Sequence, residues 1–323
     1  MTRRPTDLRA LVEGVTGGDT RAVARAITLV ENRDPLAYEL VREIYPGTGA
    51  ASLVGFTGPP GVGKSSLIAC VVTLLRGEER RVGVVSVDPS SPFSSGALLG
   101  DRIRLADHFT DAGVFIRSMS TRGHLGGVAE ATLQALLVLD AAGMDVLLLE
   151  TVGVGQSEVE VASLADTVVL VLQPGSGDSI QALKAGVMEI PDIIVINKSD
   201  HPAARTMRSE IRSVLALGPA TDRRVPIVET EAFRGEGIAE LWQAVLDHRA
   251  ELVEAGELEA RRRRSIEHEI VAVAVAQARR RLSAALEADP ELRRLLDEVH
   301  ARRLDPLTAT REISERVFRT PDA

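Results

Sequence analysis

Cysteine is almost missing from this chain: Cys70 is the only one in 323 residues. A lone thiol excludes an intramolecular disulfide and a Cys-rich metal cluster, and it fits a reducing compartment. Aromatics are scarce as well, at one Trp, two Tyr and six Phe, so Ala, Val, Leu and Ile carry most of the apolar 45%. With 26% charged residues beside it, that fraction is ordinary for a globular chain and excludes whole-chain disorder. No basic excess is present: 46 acids against 38 bases leave a formal charge of -8, which argues against electrostatic binding to nucleic acid. Apolar runs are broken by Asp or Glu before the roughly 18 residues a membrane helix needs. The opening MTRRPTDLRALVEG also lacks the continuous apolar region of a signal peptide. The expectation is a soluble, cytoplasmic protein with no membrane and no nucleic-acid partner.

What is present changes character along the chain. Leu8, Leu11, Val12, Val23, Ala26, Ile27 and Val30 recur at helical spacing, so residues 1–47 read as an amphipathic helical extension ending near Pro46-Gly47. Residues 48–250 then alternate short aliphatic runs with helical stretches. The runs are Leu53 to Thr57, Val82 to Val87, Val114 to Ile116, Val146 to Glu150, Thr167 to Leu172, Ile193 to Ile196 and Val225 to Val228. Strands apolar on both faces imply a mostly parallel central sheet flanked by helices, an α/β fold. Val128 to Leu139 is too long for a strand and reads as a crossover helix. Residues 251–323 carry no strand signal and read as a C-terminal helical arm interrupted at Pro290 and Pro306. The basic run Arg261 to Arg264 lies among Glu257, Glu259, Glu267 and Glu269 and reads as a solvated helix face.

The first aliphatic strand leads into Gly58-Pro59-Pro60-Gly61-Val62-Gly63-Lys64-Ser65-Ser66, a GxxxxGK[ST] loop between strand and helix. Its glycines let backbone N–H groups surround a polyphosphate, and the following helix adds its dipole. Lys64 neutralises the β and γ oxygens, the Ser65 hydroxyl is placed to ligate Mg²⁺, and Ser66 faces the α-phosphate region. A P-loop does not choose a base, but a later strand ends in Asn197-Lys198-Ser199-Asp200. The Asp200 carboxylate can accept from the ring N–H and exocyclic amine of guanine, whereas adenine leaves it unpaired. Asn197 can brace that loop, and Lys198 can lie over the base. Carboxylates at strand ends beside a P-loop suit an outer-sphere Mg²⁺ role, which points to Asp88, Asp101 and Glu150. Gly153 would let its N–H approach the γ-phosphate. Capping or turn roles remain open for Asp88 and Asp101.

With GPPGVGKSS, VDPSSPFSSGALLGDR, SMSTRGHLGG, ETVGVGQSE, QPGSGDSIQALKAG and NKSD in order over residues 54–200, the chain resembles the MeaB/ArgK family of P-loop GTPases. That family includes the methylmalonic aciduria type A protein. The resemblance implies a GTP/GDP-binding chaperone with Mg²⁺ that gates adenosylcobalamin loading and protects or reactivates an acyl-CoA mutase. It also implies homodimers joined through the C-terminal helices, and a third switch over Gln173 to Gly186 in which Lys184 senses the mutase. Ser95-Gly96 stands where members often have a double glycine. Where Ras-like enzymes carry a water-orienting Gln directly after the glycine that matches Gly153, Val154 stands here and Gln156 lies two residues further on, which implies slow basal hydrolysis awaiting a partner.

Three other functions share this architecture. A nickel-insertion GTPase needs clustered ligands, yet Cys70 and His108, His124, His201, His248, His268 and His300 show no ligand spacing. A transport-associated ATPase or kinase is opposed by the guanine-type NKSD. A protein-targeting GTPase needs a Met-rich domain that five methionines do not supply.

Overall fold

The computed structural model describes residues 7–88, 108–120, 125–151, 164–175, 191–216 and 224–318. Seven strands form one parallel sheet: β1 Ser52–Thr57, β2 Val82–Asp88, β3 Val114–Ser120, β4 Val146–Thr151, β5 Thr167–Leu172, β6 Ile193–Asn197 and β7 Ile227–Thr230. They lie in the order β3-β2-β4-β1-β5-β6-β7, so β1 sits at the centre between β4 and β5. Its Phe56 pairs with Glu150 on one side and Val169 on the other. The order reverses direction around β1, and in such sheets ligands bind beyond the carboxyl ends of the strands at that point.

The strands are apolar throughout because both faces are covered. On β4, Leu147 and Leu149 belong to one core and Val146 and Leu148 to the other; the side-chain period of two makes this division. One face is packed by α1 Leu8–Thr16, α2 Thr20–Glu31, α3 Pro35–Ile44 and α5 Leu125–Ala141. The other is packed by α4 Lys64–Gly77 and α7 Ile238–Glu254, while α6 Ala204–Leu215 covers β5 and β6.

The N-terminal helices begin where Asp7, Asp19 and Asp34 cap them, each carboxylate accepting backbone N–H groups of the first turn. Their buried stripes are Leu11 and Val15; Val23, Ala26, Ile27 and Val30; and Ala37, Leu40 and Ile44. At about 1.5–3 kcal/mol for each fully buried large aliphatic, such stripes hold the helices on the sheet. Two strands differ from the sequence reading. β3 continues past Ile116 because Arg117 pairs with Glu31 and reaches Thr28 of α2, which satisfies a charge inside the strand. β7 starts at Ile227 rather than Val225: Pro226 has no N–H for the ladder, and only its carbonyl is used, accepting from Ile194.

By its contacts the chain divides into two compact units, residues 1–269 and 270–323. α8 Leu258–Ala288 begins in the first and ends in the second. Within the second, α9 Pro290–His300 and α10 Pro306–Phe318 pack Leu292, Ala309, Ile313 and Val317 against Leu282, Leu286 and Leu295. The two prolines mark helix starts: Asp289 and Asp305 precede them and accept first-turn N–H groups.

The solvated-face reading of the arginine run holds for Arg263 and Arg264, which are exposed, and fails for the first two. Arg261 forms a bidentate pair with Asp192 at 3.0 and 2.7 Å. Arg262 binds both oxygens of Asp166 at 2.7 Å and donates to the carbonyls of Gly49 and Ala51. Asp166 in turn accepts the Leu53 N–H, so these arginines tie the start of α8 to the amino edge of the sheet. Among the described residues no helix is long and apolar enough to cross a membrane.

Candidate functional site

The loop between β1 and α4 turns at Gly58, Gly61 and Gly63, whose φ angles are 135°, 79° and 95°. Two of these glycines are dictated by close approach as well. A Cβ on Gly58 would lie 2.1 Å from the Val171 carbonyl oxygen, and one on Gly63 would lie 2.4 Å from Asn197 Nδ2. The loop is therefore pressed against the ends of β5 and β6, and no side chain fits between them. Lys64 opens α4 and is only 6% exposed; its ammonium donates to the carbonyls of Gly58 at 2.5 Å and Pro59 at 3.0 Å. A cation held in the mouth of such a loop, at a helix N-terminus, is an anion-binding arrangement.

Behind the loop lies a buried oxygen cluster. Ser65 Oγ donates to Glu150 Oε1 at 2.6 Å, and Ser86 Oγ donates to Glu150 Oε2 at 3.1 Å. Glu150 is 4% exposed at the end of β4, and the in-register pairing of β1, β4 and β2 brings these groups together. Thr151 donates to Thr57 at 3.2 Å beside them. Hydroxyl and carboxylate oxygens of this kind fit a hard divalent cation such as Mg²⁺. Ser86 joins the site although motif spacing does not mark it; its signal is a lone polar residue in the apolar run VGVVSV, residues 82–87.

The NKSD turn after β6 closes the other side. Asn197, 2% exposed, donates through Nδ2 to the Val62 carbonyl at 2.8 Å. Its Oδ1 accepts from Thr230 Oγ1 at 3.2 Å and the Ala232 N–H at 3.3 Å. It thus fastens the P-loop to the segment after β7, the bracing role its position suggests. Lys198 sits at a left-handed φ of 58° and donates to the Gly61 carbonyl at 3.0 Å. Asp200 is exposed two residues further on. Thr230, Ala232 and Gln173, which bonds Lys198, are site residues that local spacing did not reveal; each is distant in sequence from its partner.

The structure therefore brings together the P-loop with Lys64 and Ser65, Glu150, Asn197 and Lys198 at the carboxyl end of β1, β4 and β6, and Asp200 follows Lys198 on the same turn, exposed. Asp88 closes β2 opposite Ser120, and its side chain lies outside the described part. Asp101, Gly153 and Lys184 lie outside the described residues. Of the histidines, His248 is buried in structure, with Nδ1 2.8 Å from Thr167 Oγ1 and Nε2 3.3 Å from Asp192. Cys70 donates to the Ala232 carbonyl at 3.0 Å, and burial pushes its thiol pKa up, against a reactive thiolate.

Comparison with known proteins agrees with this geometry. The family described as "Methylmalonyl Co-A mutase-associated GTPase MeaB" matches residues 23–287. A putative GTPase of Pyrococcus abyssi (strain GE5 / Orsay) is 48% identical over 95% of this chain and 96% of its own length. GTPase ArgK of Escherichia coli (strain K12) is 37% identical over 92% of this chain and 93% of its own. The mitochondrial methylmalonic aciduria type A homolog of Mus musculus is 37% identical over 78% of this chain and 65% of its own. A crystal structure titled LAO/AO transport system kinase superposes with a TM-score of 0.73 at 29% identity, covering 98% of this chain and 99% of that one.

Proposed function

The chain belongs to the MeaB family of GTPases, and from that premise we propose that it is a GTP-hydrolysing chaperone of an adenosylcobalamin-dependent acyl-CoA mutase. The observation that carries the reading is the Asn197 brace between the P-loop and β7, with Lys198 donating to the Gly61 carbonyl of the same loop. In this reading the backbone of Gly58 to Ser65 surrounds the phosphates, Lys64 turns to the β and γ oxygens, and Asp200 accepts from the guanine edge. Ser65 and Glu150, with Asp88 and Asp101, hold Mg²⁺, which neutralises phosphate charge when bound. Membership of a family described as methylmalonyl-CoA mutase-associated supports a mutase partner.

Val154 has no group to orient a water, so basal hydrolysis is slow, and docking of the mutase supplies or orders what is missing, with Lys184 in the sensing segment. The homodimer is proposed to use α8, where Ile270, Val271 and Val275 are 61%, 62% and 63% exposed. A cytoplasmic location accords with the single thiol. The test is steady-state phosphate release from γ-labelled GTP with and without methylmalonyl-CoA mutase and its isobutyryl-, ethylmalonyl- and 2-hydroxyisobutyryl-CoA counterparts. Stimulation by one of them, with label recovered as free phosphate, is expected. Label transferred to an acceptor, or no stimulation by any of the four, would contradict the proposal.

A further inference from the structure

We infer that Gln173 is a positioning residue for the base site: it holds the Lys198 side chain in place from the exit of β5, an inference that rests on the guanine-site reading above. Gln173 is the first residue after β5, half-buried, and its Oε1 accepts from Lys198 Nζ at 2.5 Å. The same ammonium donates to the Gly61 carbonyl at 3.0 Å. Two acceptors on two different loops therefore fix one exposed lysine head. A second point of approach lies beside it: a Cβ on Gly175 would be 3.4 Å from His201 Cε1, so the His201 ring lies against the β5 exit. His201 is itself held, its Nδ1 accepting the Ala203 N–H at 3.1 Å. The turn that carries NKSD is thus bracketed on one side by Gln173, Pro174 and Gly175.

The physical consequence follows from how a lysine can serve a flat ring. Its charged head needs acceptors, while its methylene stem offers an apolar strip. Left to solvent, an exposed lysine samples many rotamers, and ordering it on binding costs up to about 2 kcal/mol. The left-handed backbone at Lys198 directs the side chain, and the Gly61 carbonyl alone fixes the head at one point. Gln173 adds a charge-assisted acceptor from the neighbouring strand, so the stem is ordered before the base arrives. Because the stem meets a face of the ring and not its edge, Gln173 acts alike on every nucleotide whose base occupies the site. Asp200, which reads the edge, separates guanine from hypoxanthine; Gln173 does not.

The test uses the full chain and Gln173→Met, which keeps side-chain length and removes the acceptor. Dissociation of a fluorescent GDP is followed by stopped flow, and competition gives affinities for GDP, IDP, ADP and inorganic triphosphate. Loss of one exposed charge-assisted hydrogen bond should speed GDP release by about three- to tenfold. IDP should weaken by the same factor, inorganic triphosphate should bind as to the unaltered protein, and Gln173→Glu, which keeps an acceptor, should restore most of the affinity. GDP release unaffected in Gln173→Met, an equal loss for inorganic triphosphate, or no recovery in Gln173→Glu would each overturn the inference. The guanine-site reading is judged separately on the unaltered protein: equal affinities for ADP and GDP would remove it, and the inference with it.

Discussion

Asn197 offers the sharpest separation between a residue that touches a ligand and one that builds the site. Asn197→Ala deletes the bond to the Val62 carbonyl and the two that reach Asn197 Oδ1 from Thr230 and Ala232. At about 1 kcal/mol net for each bond, with further cost for groups stranded in a site only 2% exposed, the loss is about 2–4 kcal/mol. With a urea m-value of roughly 3 kcal/mol/M for a unit of this size, the midpoint moves down by roughly 1 M. The assay is urea unfolding without nucleotide, read at Trp242 in α7 of the first unit. Nucleotide affinity falls as well, because Gly63 and the P-loop lose their support against β6. An unfolding midpoint that does not move in the absence of nucleotide, with affinity lost all the same, would refute the bracing argument and make Asn197 a ligand contact only.

Arg262→Ala should cost about 1–3 kcal/mol, since Asp166 loses its bidentate partner but keeps Arg249 at 3.2 Å and the Leu53 N–H. Thermal unfolding of the single variant against Arg262→Met/Asp166→Leu checks this, and the paired replacement should recover much of the loss. Asp111 is held below the usual carboxylate range by the Arg76 guanidinium and then by the Gly113 N–H. A depressed folded pKa gives stability that is present above the unfolded pKa near 3.9 and lost as pH falls through the folded value. Asp111→Asn should therefore cost up to about 1 kcal/mol at neutral pH, and its urea midpoint should converge with that of the unaltered protein as pH drops below about 4. If the proposed dimer uses the exposed stripe of α8, light scattering should show dimers for the unaltered chain and monomers for Ile270→Glu, which places a charge there; equal masses would count against it.

Much of the fold was legible because it is written locally. β1, β4, β5 and β6 are continuous aliphatic runs, the Asp-Pro pairs at 289–290 and 305–306 mark helix starts, and the P-loop glycines announce a turn. What was not legible depends on partners far along the chain. The run Arg261 to Arg264 has acids within a helical turn and so looks solvated, but the carboxylates that take Arg261 and Arg262 are Asp192 and Asp166, contributed by the starts of β6 and β5. Arg117 argues against a strand until Glu31 of α2 is placed beside it. The candidate site divides the same way: Lys64, Ser65, Glu150 and Asn197 follow from motif spacing, whereas Ser86 and Thr230 become site residues, and Gln173 of the third switch a partner of Lys198, only once the sheet order brings their strands alongside.

We propose that this cradle reads guanine. Its most direct test is the ratio of kcat/KM for GTP and ATP in the presence of Mg²⁺, measured by phosphate release on the unaltered chain and on Asp200→Asn with xanthosine triphosphate added to the set. Asp200 is exposed before the base arrives, and a base that covers it without pairing leaves its carboxylate desolvated, so the unaltered chain should show at least about a hundredfold preference for GTP. Asp200→Asn should lose that preference and gain xanthosine triphosphate, because its amide can donate to the xanthine oxygen. Equal kcat/KM for ATP and GTP in the unaltered chain would contradict the account.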